Sequence, residues 1–189
     1  DMTRPNAPKL AFPGPYPVGV RTLDLVNRGP VDVVNSTDRI RRHDRPLKVE
    51  LWYPARPASG ENQPYDSILR DGHRPCQLHG AGLRGAEPAG TNFPLVILSH
   101  GWPGTRLLMA HLGEKLASHG YVVASIDHTD STYADKAALA STLVNRPLDT
   151  AYVRQELASV ADISAFAIIG YSMGGYGALV SAGAAIATK

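Results

Sequence analysis

An α/β fold, with a mostly parallel central sheet and helices on both faces, is predicted by three features of the chain. Residues 94–98, 121–126 and 165–169 are short apolar runs, as expected of strands covered on both faces. Stretches with helical periodicity lie between them, and strand and helix alternate in order. With 189 residues, 43% of them hydrophobic, the chain is long enough for one domain with a real core.

Each element has its own local reason. Gly14-Pro15-Tyr16-Pro17-Val18-Gly19 is an extended approach, because two prolines interrupt any helix. A first strand follows near residues 20–26. In residues 48–53, Val49, Leu51 and Tyr53 alternate with polar neighbours, which is the two-residue period of a half-buried strand, and Pro54 ends it. Residues 55–92, rich in Gly, Pro, Arg and His, show no periodicity and read either as a wall over a site or as a solvated excursion. After the strand at 94–98, residues 105–119 read as a helix with Leu108, Leu112 and Leu116 on one face and Gly120 as its stop. A second helix is expected over residues 150–160, with Asp149 as its N-cap and Val153, Leu157 and Val160 inward.

Composition narrows the function classes. Lys and Arg number 19 against 17 Asp and Glu, and the basic residues are scattered apart from Arg39, Arg41, Arg42 and Arg45, so a nucleic-acid partner is not expected. No apolar stretch approaches the roughly 18 residues that cross a bilayer. The N-terminus lacks an apolar signal core, yet Asp1 is not an initiator Met. The chain therefore reads as processed or trimmed, and a secreted or periplasmic location is favoured over a cytoplasmic one. The lone Cys76 cannot form an intramolecular disulfide, and His73, His79 and Cys76 match no zinc spacing. No metal site and no cofactor are expected.

The chemistry concentrates after the third apolar strand, in Gly170-Tyr171-Ser172-Met173-Gly174, followed by the helix-compatible run from Gly175. This is G-x-S-x-G in a strand-turn-helix setting, where a tight turn swings a serine out as a nucleophile and flanking glycines remove clashing side chains. The alternative is a serine that merely caps a helix in a nucleotide-binding fold, but glycines for that purpose belong near the first strand. The setting therefore predicts an α/β-hydrolase fold with Ser172 as catalytic nucleophile. Acyl transfer also needs two backbone N–H donors for the oxyanion, one after the nucleophile and one from a loop on the neighbouring strand. Met173 and Trp102, the latter in His100-Gly101-Trp102-Pro103-Gly104, fill those places, since Pro103 has no N–H. His100 is expected to shape its loop through hydrogen bonds rather than act as a base. In the usual strand order of this fold, His128 sits roughly 10 Å from the serine strand, two sheet spacings away. It is a candidate for pocket lining or a local hydrogen-bond network, and Tyr171 for pocket lining.

These segments together resemble the platelet-activating-factor acetylhydrolase group of α/β-hydrolases, which shades into cutinase-like and dienelactone-hydrolase-like esterases. The likeness rests on Pro15 to Gly19, Leu51-Trp52-Tyr53-Pro54, Leu98-Ser99-His100-Gly101, residues 116–123, Asp127-His128-Thr129-Asp130 and the Ser172 turn. The resemblance implies a serine esterase acting on an ester with a short or accessible acyl group, lipid-like substrates included. Because Ser stands where dienelactone hydrolase has Cys, the esterase branch is favoured.

In this fold the acid and histidine follow the nucleophile. Only 17 residues follow Ser172, and none is Asp, Glu or His. Residues 1–189 therefore read as the N-terminal part of a single domain, with a C-terminal portion as partner carrying the acid and histidine. The alternatives are partners from within the chain, such as His128 and Asp130, or a noncatalytic binding module.

Overall fold

Residues 4, 6–60, 62–136 and 139–184 are described by the computed structural model. Their strands are β1 (Val18–Asn27), β2 (Arg45–Pro54), β3 (Tyr65–Ile68), β4 (Pro75–Leu78), β5 (Leu83–Arg84), β6 (Pro94–Ser99), β7 (Val122–Asp127) and β8 (Asp162–Gly170). The α-helices are α1 (Ala110–Ser118), α2 (Leu139–Glu156) and α3 (Met173–Ser181).

Six strands form one sheet in the order β5-β1-β2-β7-β6-β8. The pairs β6/β7, β6/β8 and β1/β5 are parallel, whereas β2 runs antiparallel to both its neighbours. The α/β architecture expected from the alternation is thus observed, and β6 separates β7 from β8 as anticipated. Residues 55–92 are not structureless: β3 and β4 pair as a hairpin, and β5 extends the sheet beside β1.

The apolar runs work because successive side chains on a strand point to opposite faces. On β6, Leu95 and Ile97 join a core with Leu51, Ala124, Val153 and Leu157, which lies under α2. Val96 and Leu98 join the other core, with Trp52, Val123, Leu107 and Ala117, under α1. One short sequence therefore feeds both layers. β8 sits at the end of the sheet order, and its outer edge has no partner strand among the described residues.

Two helices differ from expectation. α1 begins at Ala110 rather than Thr105, because residues 106–109 form turns. Leu107, not Leu108, consequently enters the core. α2 begins at Leu139 and carries Pro147 within it, so Asp149 lies inside the helix and is not its N-cap. No helix of the described residues is long and apolar enough to cross a membrane.

Candidate active site

β8 delivers the chain to Tyr171 and Ser172, and α3 starts at the next residue. Ser172 has φ 53 and ψ −117, in the left-handed half of backbone space that non-glycine residues avoid at a cost of order 1–3 kcal/mol. It occupies the position before α3, yet its side chain makes no capping hydrogen bond. The helix-cap alternative therefore does not describe it. Ser172 is exposed, and Tyr171 beside it is 58% exposed.

The turn is held against the end of β6. Tyr171 N–H donates to the Ser99 carbonyl at 3.0 Å. Gly174 lies so close to the Ser99 and His100 carbonyls that any Cβ there would collide with backbone. That contact brings the loop after β6 alongside the serine: a Cβ on Gly101 would lie 3.4 Å from Ser172 Cβ and 3.3 Å from Tyr171 Cδ1. Trp102, next in that loop, is 41% exposed. Neither the Trp102 nor the Met173 N–H has an acceptor among the described residues. The residue after Ser172 and the loop residue after Gly101 thus each carry an N–H with no acceptor among the described residues.

Beneath this surface runs a buried polar network. His128 is fully buried; its Nδ1–H donates to Asp149 at 2.9 Å and its Nε2 lies 3.0 Å from the Ser99 hydroxyl. Arg45 donates to both Asp149 oxygens at 2.7 and 3.0 Å and to Asp130 at 2.8 Å. Burial lowers the His128 pKa by more than Asp149 raises it, so the ring is neutral near pH 7. For Asp149, burial pushes the pKa up, but hydrogen bonds from His128 and Arg45 outweigh it and hold the carboxyl below its ordinary range. Ser99, His128 and Asp149 thus bond in the order serine, histidine, acid. Ser99 is nevertheless buried, and no substrate can reach it.

His128 has no exposed surface with which to line a pocket, and both its ring nitrogens are engaged in this local network. His128 and Asp130 are likewise committed elsewhere, to Ser99 and Asp149 and to Arg45 and Ser141, and do not serve Ser172. His100 is buried, and its Nδ1–H donates to the Gly101 carbonyl at 2.6 Å, shaping the loop as expected. Burial first, then the neighbouring His128 and Arg146, hold its pKa well below the ordinary histidine value.

A separate cleft of about 310 Å³ opens between β3, the loop 104–106 and the loop 132–134. Ser172 is not among its walls. Among the described residues, no cluster of three His, Cys, Asp or Glu side chains could hold a metal ion.

Sequence reasoning missed Ser99, Arg45, Arg146 and the true role of Asp149. A signal existed: Ser141, Asn145 and Asp149, and likewise Thr142, Arg146 and Thr150, repeat every four residues, and all six are buried on α2. A polar stripe at helical spacing is ordinarily the solvated face, and Pro147 hid the helix that carries it.

A family model described as PET hydrolase-like matches residues 79–188. A cutinase of Thermobifida fusca (strain YX) is 33% identical over 153 residues, covering 69% of this chain and 48% of the relative. A platelet-activating factor acetylhydrolase of Cavia porcellus is 42% identical over 45 residues, 24% of this chain and 10% of that protein. The solved structure of a ferulic acid esterase from Streptomyces cinnamoneus superposes with a TM-score of 0.70 at 26% identity, over 94% of this chain and 57% of that one. The chain therefore spans about half the length, or less, of the curated relatives it matches.

Proposed function

The chain belongs to the PET hydrolase-like family, and on that premise we propose that it carries the nucleophile of a serine-dependent carboxylic ester hydrolase acting through an acyl-enzyme. The observation that carries this reading is Ser172 itself: an exposed, uncapped hydroxyl on a strained turn, with the Met173 and Trp102 N–H groups nearby in the chain and loop lacking acceptors among the described residues. A histidine removes the hydroxyl proton, and the alkoxide attacks the ester carbonyl. The Trp102 and Met173 amides hold the oxyanion, and water then releases the acyl group by the reverse sequence.

His128 has both ring nitrogens engaged, and His100 is fully buried with its Nδ1–H committed to the Gly101 carbonyl, so neither is assigned as that histidine. The base and its acid are supplied by the portion of the relatives' length that this chain does not span. The outer edge of β8, which has no partner strand among the described residues, supports this: its apolar sequence suits an interior strand, whereas an open edge is a liability that folds normally cover.

Tyr171 and Trp102 expose aromatic surface beside Ser172 and form the first acyl contacts. Their exposure, together with the cutinase relative, favours a bulky or polymeric ester within the class, and a secreted or periplasmic location suits such a substrate.

The test is a fluorophosphonate probe together with p-nitrophenyl butyrate hydrolysis, in the full-length protein and its Ser172→Ala variant. Stoichiometric labelling and turnover, both abolished by the substitution, are expected. An unlabelled wild-type protein that still binds ester ligands supports the noncatalytic binding module instead.

A further inference from the structure

Arg146 is a buried cation that the mechanism above does not use. It projects from α2 and is 1% exposed. Its Nη2 donates to the Gly101 carbonyl at 2.9 Å, and its Nη1 to the His100 carbonyl and to the Ser99 hydroxyl at 3.0 Å. A further bond reaches the Ser131 hydroxyl. All these acceptors are uncharged, and Arg146 makes no ion pair with a carboxylate among the described residues. An unpaired guanidinium in the interior costs several kcal/mol, so its position calls for an account.

The acceptors supply one. A peptide group is planar, so the Gly101 carbonyl and the Trp102 N–H lie in one plane and point opposite ways. Whatever fixes the carbonyl aims the N–H. Arg146 and the His100 ring both grip that carbonyl, so the Trp102 N–H is turned away from them; it has no acceptor among the described residues, and the preceding Gly101 lies beside Ser172. The Arg146 stem also meets the nucleophile helix: a Cβ on Gly177 of α3 would sit 3.3 Å from Arg146 Cβ. One side chain is thus wedged between the segments that carry the two free amides.

We propose that Arg146 is a positioning residue for the reaction: it locks the Gly101-Trp102 peptide so that its N–H faces the oxyanion, and sets a buried positive charge behind the site. This inference rests on the ester-hydrolase reading of Ser172. Burial lowers the Arg146 pKa to about 10, which leaves the side chain cationic at neutral pH. Developing negative charge on the oxyanion is therefore met by a buried cation that no carboxylate contacts directly, Asp149 acting on it only at longer range.

The Trp102 backbone amide is read in protein selectively labelled with ¹⁵N-tryptophan and assigned by its loss in Trp102→Phe, with the Trp52 amide of β2, assigned by Trp52→Phe, as the reference. The experiment uses the full-length protein with Arg146→Met and Arg146→Lys. Expected are a shifted or broadened Trp102 amide with Trp52 unmoved, and kcat for p-nitrophenyl butyrate at least 10-fold lower with KM within 3-fold. Lys should fall between Met and the wild type, since one ammonium cannot span both carbonyls. An unmoved Trp102 amide with kcat within 2-fold of wild type in an active protein overturns the proposal. If Arg146→Met does not fold, the same criteria applied to Arg146→Lys decide it. A wild-type protein that neither hydrolyses nor labels refutes the ester-hydrolase reading instead, a result distinct from active variants with an undisturbed Trp102.

Discussion

Asp149→Ala removes the centre of the polar network under the site. Asp149 is 1% exposed and accepts two bonds from Arg45 and one from His128. Without it, the buried Arg45 keeps only Asp130 and the Thr129 carbonyl, and the His128 Nδ1–H has no acceptor. Breaking a buried ion pair by removing one partner costs about 3–5 kcal/mol. Because Asp130 retains part of the compensation, about 3 kcal/mol is expected. At roughly 3 °C per kcal/mol for a domain of this size, that lowers Tm by about 9 °C. The pH dependence follows from the lowered Asp149 pKa: its contribution is complete above the unfolded carboxylate value, about 4, and is lost as pH falls through the lower folded value. Urea unfolding of both proteins at pH 7, 5 and 3.5 should give an undiminished gap at the first two pH values and a narrower one at the third. A gap below about 1 kcal/mol at pH 7, or one that already closes between pH 7 and 5, refutes the reasoning.

Gly174→Ala puts a Cβ into the Ser99 carbonyl, a backbone atom that cannot rotate away, so the Ser172 turn must lift off β6. Fluorophosphonate labelling should slow at least 10-fold, and a rate within 2-fold of wild type would show that the turn does not depend on this close approach. His100 and His128 both have folded pKa values below the ordinary 6.5, so the unfolded chain takes up their protons first. Stability should therefore fall as pH drops below about 6.5, with a slope approaching about 2.7 kcal/mol per pH unit if both titrate together; a urea midpoint constant from pH 8 to 5 contradicts the neutral, buried assignment.

The strands and the serine turn were readable because their causes are local. An apolar run such as Leu95 to Leu98 needs only its own residues to announce a strand covered on both faces, and the glycines around Ser172 signal a turn that few other residues could make. The Ala55 to Asn92 stretch was less readable, since β3, β4 and β5 are short and stabilised by partners rather than by periodicity. α2 was half hidden, because Pro147 reads as a breaker and its buried face is polar.

The sequence by itself determined the α/β order of elements, the candidate nucleophile Ser172 and the two residues proposed to supply the oxyanion amides. Only the tertiary structure decided what lies beneath them. Ser99, His128, Asp149 and Arg45 come from four separate segments, with 104 positions between Arg45 and Asp149. No local period links them; they meet because the sheet brings β2, β6 and β7 side by side beneath α2. There water is excluded, and each charge or hydroxyl must find its partner among the others.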